Sequence, residues 1–392
     1  MKTREYQNDA RISAKDDLVL GENVRLGPDV IVECDRAQVG TNVAIGVETE
    51  ESFRLPGGVR IRAKELILED GVQIDRETLI KGGLIRLGRR VRIKAGVTVH
   101  ATSVLKIGDF GTVHEHCVIE GVDIVIGRQL WMLPYARIGG GSAFEIHSKL
   151  RIGDWCHLGM YSFINTARGV FIGDEVGLGM RTCLYTHGAY ESFLDGFPVA
   201  FGEIKIGSRS WLSGAIVNPG VAIGTDVVVG VGSVVTRDIP DGALAMGVPA
   251  RIIKPDVYPK QFADMRVALL KEFMQVFREI CEQGHTVKQL EEGGDGALVI
   301  DSECLVVCAP TLNPVNAVAM AKRYNRIIWL SDGGEPPLVG MTHTIIDLRT
   351  RRVTGRADAI SERLLNQLRR YGVRFNYVAR DNRYVPWETL ST

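Results

Sequence analysis

The chain has 392 residues, and its 47 lysines and arginines balance 47 aspartates and glutamates. A net charge of zero gives no field to draw in nucleic acid or a membrane surface, so function classes that depend on one are set aside. The hydrophobic share of 45% is that of an ordinary soluble protein, and the seven cysteines, odd in number and scattered, read as buried reduced thiols rather than a disulfide framework.

The N-terminal stretch MKTREYQNDAR lacks the apolar core of a secretory signal, which points to the cytoplasm. Residues 1–17 read as a tail. From Leu18 to Lys254 aliphatic residues recur at every sixth position, often followed by glycine. Leu20-Gly21, Leu26-Gly27, Val39-Gly40 and Ile45-Gly46 open the series. It weakens between Val47 and Ile80, then returns at Leu87-Gly88, Ile107-Gly108, Ile126-Gly127, Ile152-Gly153 and Ile172-Gly173. A period of six is neither the 3.6 of a helix nor the alternation of a simple strand. It predicts a β-solenoid in which three hexads close one triangular coil, about a dozen coils in all. Glycines at corners account for the high count of 44. Gly214 to Val235 is apolar enough to pass for a membrane span, but Asp226 and the Gly, Pro and Thr content argue against one.

The longest interruption, His187 to Glu203, reads as a loop leaving the coil, a favoured place for function. Beyond Lys254, residues 255–292 read as a helical linker, with an apolar helical pattern from Pro259 to Glu282. Residues 293–392 read as a small α/β domain. Strands are expected at 297–300, 305–309, 327–330, 344–348 and 373–378, and helices at 313–323 and 358–371.

The residues with chemical character fall late in the solenoid. They are Thr186-His187, Trp211, Asn218-Pro219-Gly220-Val221, Gly230-Val231-Gly232-Ser233, Asp238-Ile239-Pro240 and Gly247-Val248-Pro249-Ala250-Arg251. In order and spacing they resemble the hexapeptide-repeat acyltransferases, and are most similar to the O-acetyltransferases of sugars and polysaccharides and to the xenobiotic and maltose acetyltransferases. The resemblance implies a left-handed parallel β-helix, a homotrimer with sites between subunits, and acetyl-coenzyme A as acyl donor. It implies a sugar or glycan acceptor, as in surface-polysaccharide synthesis, and puts the catalytic histidine at His187. Imidazole, ionising near neutrality, suits a base that takes a proton from a hydroxyl or amine. Asn165 is the residue that the resemblance would place against the acceptor. Donors for the oxyanion would come from the coil around Ser213 and Gly214. Ser213, Gly214, Val231, Thr236, Arg237, Arg251 and Lys254 would hold the cofactor, the basic ones at its phosphates. The segment before Asn218 is one residue shorter than the family's usual coil.

Two other readings stand beside this one. The chain could be a scaffold or binding solenoid without catalysis. It could also resemble the γ-type carbonic anhydrases, zinc lyases on this fold. His114, His116 and His157 invite that reading, but His187 lacks the close histidine partner it needs, so no metal is expected. The basic run Arg86, Arg89, Arg90, Arg92 and Lys94 reads as a solvated strand face.

Overall fold

The structure, a computed structural model, describes residues 2–6, 9–47, 57–188, 191–257, 263–333 and 342–386. The chain divides into two compact units, Met1–Pro259 and Lys260–Thr392.

In the first unit the inward aliphatic residues stack in columns. One column runs Ile45, Ile74, Ile93, Val113, Met132, Leu158, Leu178, Leu212 and Val229, all buried. Parallel pairing of each coil with the next generates a 16-stranded and a 12-stranded sheet. Together these make a parallel β-helix, whose coils contact only their neighbours.

The early coils differ from the three-hexad expectation. Strands Arg11–Leu20, Ile31–Val39, Arg60–Leu68, Leu79–Leu87, Thr98–Ile107 and Val118–Ile126 each run across two faces. Register partners Ile61, Ile80 and Val99 lie nineteen residues apart, one more than three hexads. The spacing holds along the whole of Arg60–Leu68 and Leu79–Leu87, and Thr98–Ile107 adds one further residue as a bulge between Ala101 and Val104. The coil also begins earlier than the hexad count suggests. Ala10, Ile12 and Ala14, within the expected tail, are buried.

At Val118–Ile126 the arrangement changes. Its first half pairs with Arg137–Gly139 and its second half with Lys149–Ile152. Residues 140–148 leave the coil between them. The same corner later carries residues 166–169 and the long excursion after His187.

A second corner is bonded coil to coil. Asp70 accepts from the backbone N–H of Thr41 at 2.7 Å, and Asp109 from that of Arg89 at 2.9 Å. Asp154 accepts from Arg128 at 2.7 Å, and Asp174 from Asp154 itself at 2.8 Å. The turn needs a left-handed residue in each coil, supplied by Asn42, Arg90, Gln129, Trp155 and Glu175. The carboxylate bonds help offset the strain of non-glycine residues there. Much of the basic run is paired: Arg89 forks onto Asp109 at 2.6 and 3.0 Å, and Lys94 lies 3.7 Å from Asp75.

The second unit holds an 8-stranded mixed sheet. Cys304–Cys308, Arg326–Ser331 and Thr342–Asp347 are parallel, and the flanking strands are antiparallel. The expected strands at 297–300, 305–309, 327–330 and 344–348 all have counterparts here. Val287–Gln289 and Arg352–Arg356 are additional, and the expected strand at 373–378 is replaced by the hairpin Tyr377–Arg380 and Arg383–Pro386. Helix Ala263–Glu282 is part of this unit's core rather than a free linker, because Phe273, Met274 and Phe277 pack with Leu364, Leu365 and Leu368 against one face. Ala317, Met320 and Ala321 of helix Pro314–Ala321 cover the other. Among the described residues no helix is long and apolar enough to cross a membrane.

Candidate active site

Strand Phe163–Asn165 and strand Cys183–Leu184 are parallel neighbours on one face. Both run into the corner where loops leave the coil. Asn165 ends the first, and Thr186-His187 follows the second. Asn165 and Thr186 are buried at 1% and 0% exposure, whereas His187 is half-buried.

The side chain of Asn165 has no freedom left. Its Nδ2 donates to the carbonyls of Gly139 at 3.3 Å and Gly141 at 3.1 Å. Both neighbours are acceptors, so the amide orientation is fixed by them. Oδ1 therefore faces Thr186 Oγ1, which donates to it at 2.7 Å, and Nδ1 of His187, at 2.8 Å. An amide oxygen only accepts, so Nδ1 of His187 carries the hydrogen and Nε2 carries the lone pair. Within the chain both ends of the Asn165 amide are thus engaged, Nδ2 by two carbonyls and Oδ1 by Thr186 and His187.

The histidine ring is held from a second side. His187 pairs with Phe201 across the antiparallel ribbon His187–Gly188 and Ala200–Phe201. The two rings stack at 5.7 Å with 15° between their planes. The guanidinium of Arg168 lies 4.4 Å from the Phe201 centroid and bonds Glu145 at 3.2 Å. None of these partners was visible in the hexad pattern, because they sit in the breaks between repeats.

The other expected residues fall in three places. Ser213, Gly214 and Val231 share one corner on successive coils, and Gly232 donates to the Gly214 carbonyl at 3.3 Å. Thr236 and Arg237 are exposed beyond strand Val234–Val235. Arg251 and Lys254 are exposed on the antiparallel ribbon Leu244–Gly247 and Ala250–Lys254. The oxyanion donors expected at Ser213 and Gly214 are already spent. The Ser213 N–H bonds the Val229 carbonyl at 3.1 Å, and the Gly214 N–H bonds Thr182 Oγ1 at 3.1 Å.

That last bond measures the site. Gly214 lies level with Thr182, at the opposite end of the short strand from His187. Five residues at ~3.3 Å each give a separation on the order of 15 Å. Within one chain, His187 and the Ser213–Val231 corner stand at different corners of the coil.

The three histidines that invite the zinc reading lie in aromatic stacks. His114 Nε2 accepts from Trp131 Nε1 at 2.7 Å, His116 stacks on Tyr135 at 5.2 Å, and His157 lies between Trp131 and Trp211. Among the described residues no group of three or more His, Cys, Asp or Glu is placed to hold a metal ion.

Known proteins resemble part of this chain. The galactoside O-acetyltransferase of Escherichia coli strain K12 is 32% identical over 141 residues, covering 35% of this chain and 66% of that protein. The coil segment is similar to the hexapeptide-repeat acetyltransferases. The bifunctional protein GlmU of Acinetobacter baylyi is 27% identical over 220 residues, covering 50% of this chain and 44% of that protein. Among solved structures, a maltose O-acetyltransferase from Clostridium difficile 630 is 28% identical, with a TM-score of 0.24 and coverage of 32% and 60%. The chain thus spans just under two thirds of the first relative and less than half of the second. No family model matches the chain.

Proposed function

We propose that the chain transfers an acyl group, acetyl from acetyl-coenzyme A, to a hydroxyl or amine of a sugar or glycoconjugate, with His187 as general base. The observation that carries this reading is the bond between Asn165 Oδ1 and His187 Nδ1, which leaves Nε2 as the basic nitrogen. Nε2 takes the proton as the acceptor oxygen or nitrogen attacks the thioester carbonyl. The tetrahedral intermediate then collapses, the carbon–sulfur bond breaks, and the imidazolium returns the proton to the leaving thiolate. No covalent bond to the protein is needed. The Asn165 oxygen also favours the imidazolium while it lasts, because a hydrogen bond to the charged form stabilises it.

The separation of His187 from the Ser213–Val231 corner supports a site shared between copies. In a cyclic homotrimer the histidine of one copy would meet the cofactor corner of the next. The basic residues Arg237, Arg251 and Lys254 would then serve the coenzyme A phosphates from an exposed surface.

The test is release of coenzyme A from acetyl-coenzyme A across a panel of sugars, for wild type and for His187→Ala. Loss of transfer with the assembly intact supports the reading; full activity in the variant overturns the mechanism. Mixing His187→Ala chains with Val231→Arg chains tests the shared site. If each site takes residues from two copies, random mixing restores roughly a quarter of the sites. If each chain holds a whole site, nothing is restored.

A further inference from the structure

Residues 139–141 are three glycines at the corner beside His187. The first two are required by the backbone. Gly139 has φ +125°, and a Cβ there would lie 2.7 Å from the Glu120 side chain. Gly140 has φ +91°, and its Cβ would lie 2.9 Å from the Phe163 ring. Left-handed or crowded positions of this kind exclude other residues.

Gly141 is different. Its φ is not in the left-handed region, and the loop around it is exposed. A Cβ built on it meets one group within 4 Å, the imidazole of His187, with Nε2 and Cε1 both at 3.5 Å. Its carbonyl is held by Asn165 Nδ2, and the same Asn165 holds Nδ1 of His187. One buried amide thus fixes the gap between the open face of Gly141 and the basic nitrogen.

We infer that Gly141 is a specificity-determining position on the acceptor side, where the absence of a side chain lets the acceptor carbon bearing the reactive group reach Nε2. This rests on His187 acting as base. An acceptor oxygen must come within ~2.8 Å of Nε2 to give up its proton. A methyl group at position 141 would occupy much of that approach, and a branched side chain more of it. The chemical class favoured is an acceptor whose reactive group sits on a bulky carbon, such as a ring hydroxyl. A small primary alcohol has less need of the space.

The test compares wild type, Gly141→Ala, Gly141→Val and His187→Asn. Coenzyme A release is measured with methyl glucoside and with maltose as acceptors. In parallel, the rate of His187 modification by diethyl pyrocarbonate is followed by peptide mass spectrometry, which needs no acceptor. Expected for Gly141→Ala is a fall of roughly tenfold or more in kcat/KM for the acceptor. The fall should be steeper for maltose and steeper again in Gly141→Val. The KM for acetyl-coenzyme A and the Tm should be unchanged, and the modification of His187 slower. Wild-type rates of both transfer and modification in the two Gly141 variants would overturn the inference. If neither sugar is acetylated, the modification rate decides. Activity surviving in His187→Asn would instead overturn the underlying assignment of the base, so the two failures are distinct.

Discussion

Asn165 and His187 act as one unit: the buried amide accepts the Nδ1 hydrogen at 2.8 Å and is itself locked by the carbonyls of Gly139 and Gly141. Its substitution should therefore separate geometry from binding. Asn165→Ala leaves the ring unoriented and strips two carbonyls of their donor. It is expected to lower kcat by about 10²–10³ with little change in acetyl-coenzyme A KM. Asn165→Asp puts a carboxylate against Nδ1, which stabilises the imidazolium and raises the histidine pKa. The acid limb of the pH–rate profile should move to higher pH. A steady-state pH profile of both variants checks this, and an unmoved limb in Asn165→Asp would contradict the pairing.

Gly177 sits beneath the indole of Trp211, and a Cβ there would lie 2.2 Å from Cε3. Gly177→Ala should cost about 1–3 kcal/mol through overpacking. The double variant with Trp211→Ala removes the collision and should recover most of that loss relative to Trp211→Ala alone. Chemical denaturation of the three variants gives the coupling energy, and additive losses would argue that the indole simply swings aside.

The second unit should be acid-sensitive at one helix end. Asp358 caps helix Ala359–Arg370, accepting from the Ser361 N–H at 2.9 Å and from Arg326 Nε at 2.6 Å. Burial alone would raise its pKa, but these bonds outweigh it and hold the carboxyl below its ordinary value. A depressed carboxyl stabilises the fold above its unfolded pKa of about 4, and that contribution is lost as pH falls through the folded value. The hydrogen-exchange protection factors of this helix's amides should fall below pH ~4. In Asp358→Asn, which keeps a capping oxygen without a titrating group, the protection should be lower at neutral pH and depend less on acid.

Four thiols should be inert in the folded chain. Burial pushes Cys117, Cys304 and Cys308 up to about 12 and Cys34 to about 11. At pH 8 the thiolate fraction is then on the order of 10⁻³ or less. Iodoacetamide is expected to modify these four only after denaturant is added, as read by mass spectrometry. Rapid modification in native buffer would contradict their burial.

The inward columns were legible because stacking forces identical chemistry at a fixed interval: Ile93, Val113 and Met132 must all be apolar for neighbouring coils to close. His187 was legible because an interruption of that interval marks a loop. The buried role of Asn165 was not, since its partners Gly139, Gly141, Thr186 and His187 meet at a corner where the period is interrupted. The availability of the Ser213 and Gly214 amides was equally hidden. Only the pairing of coils reveals that Val229 and Thr182 already use them. Long early strands escaped the hexad count because a spacing of nineteen residues, not eighteen, still leaves the inward side chains in register from coil to coil.

Four corner aspartates each tie a coil to the backbone of the one before it, one carboxylate to one amide. A stack joined by such repeated links has no fixed number of storeys. Removing one whole coil above Val118 deletes a single link and rejoins two like surfaces, while the corner with Asn165 and His187 keeps the same neighbours. Length is thus a dimension that this architecture can change without rewriting its chemistry.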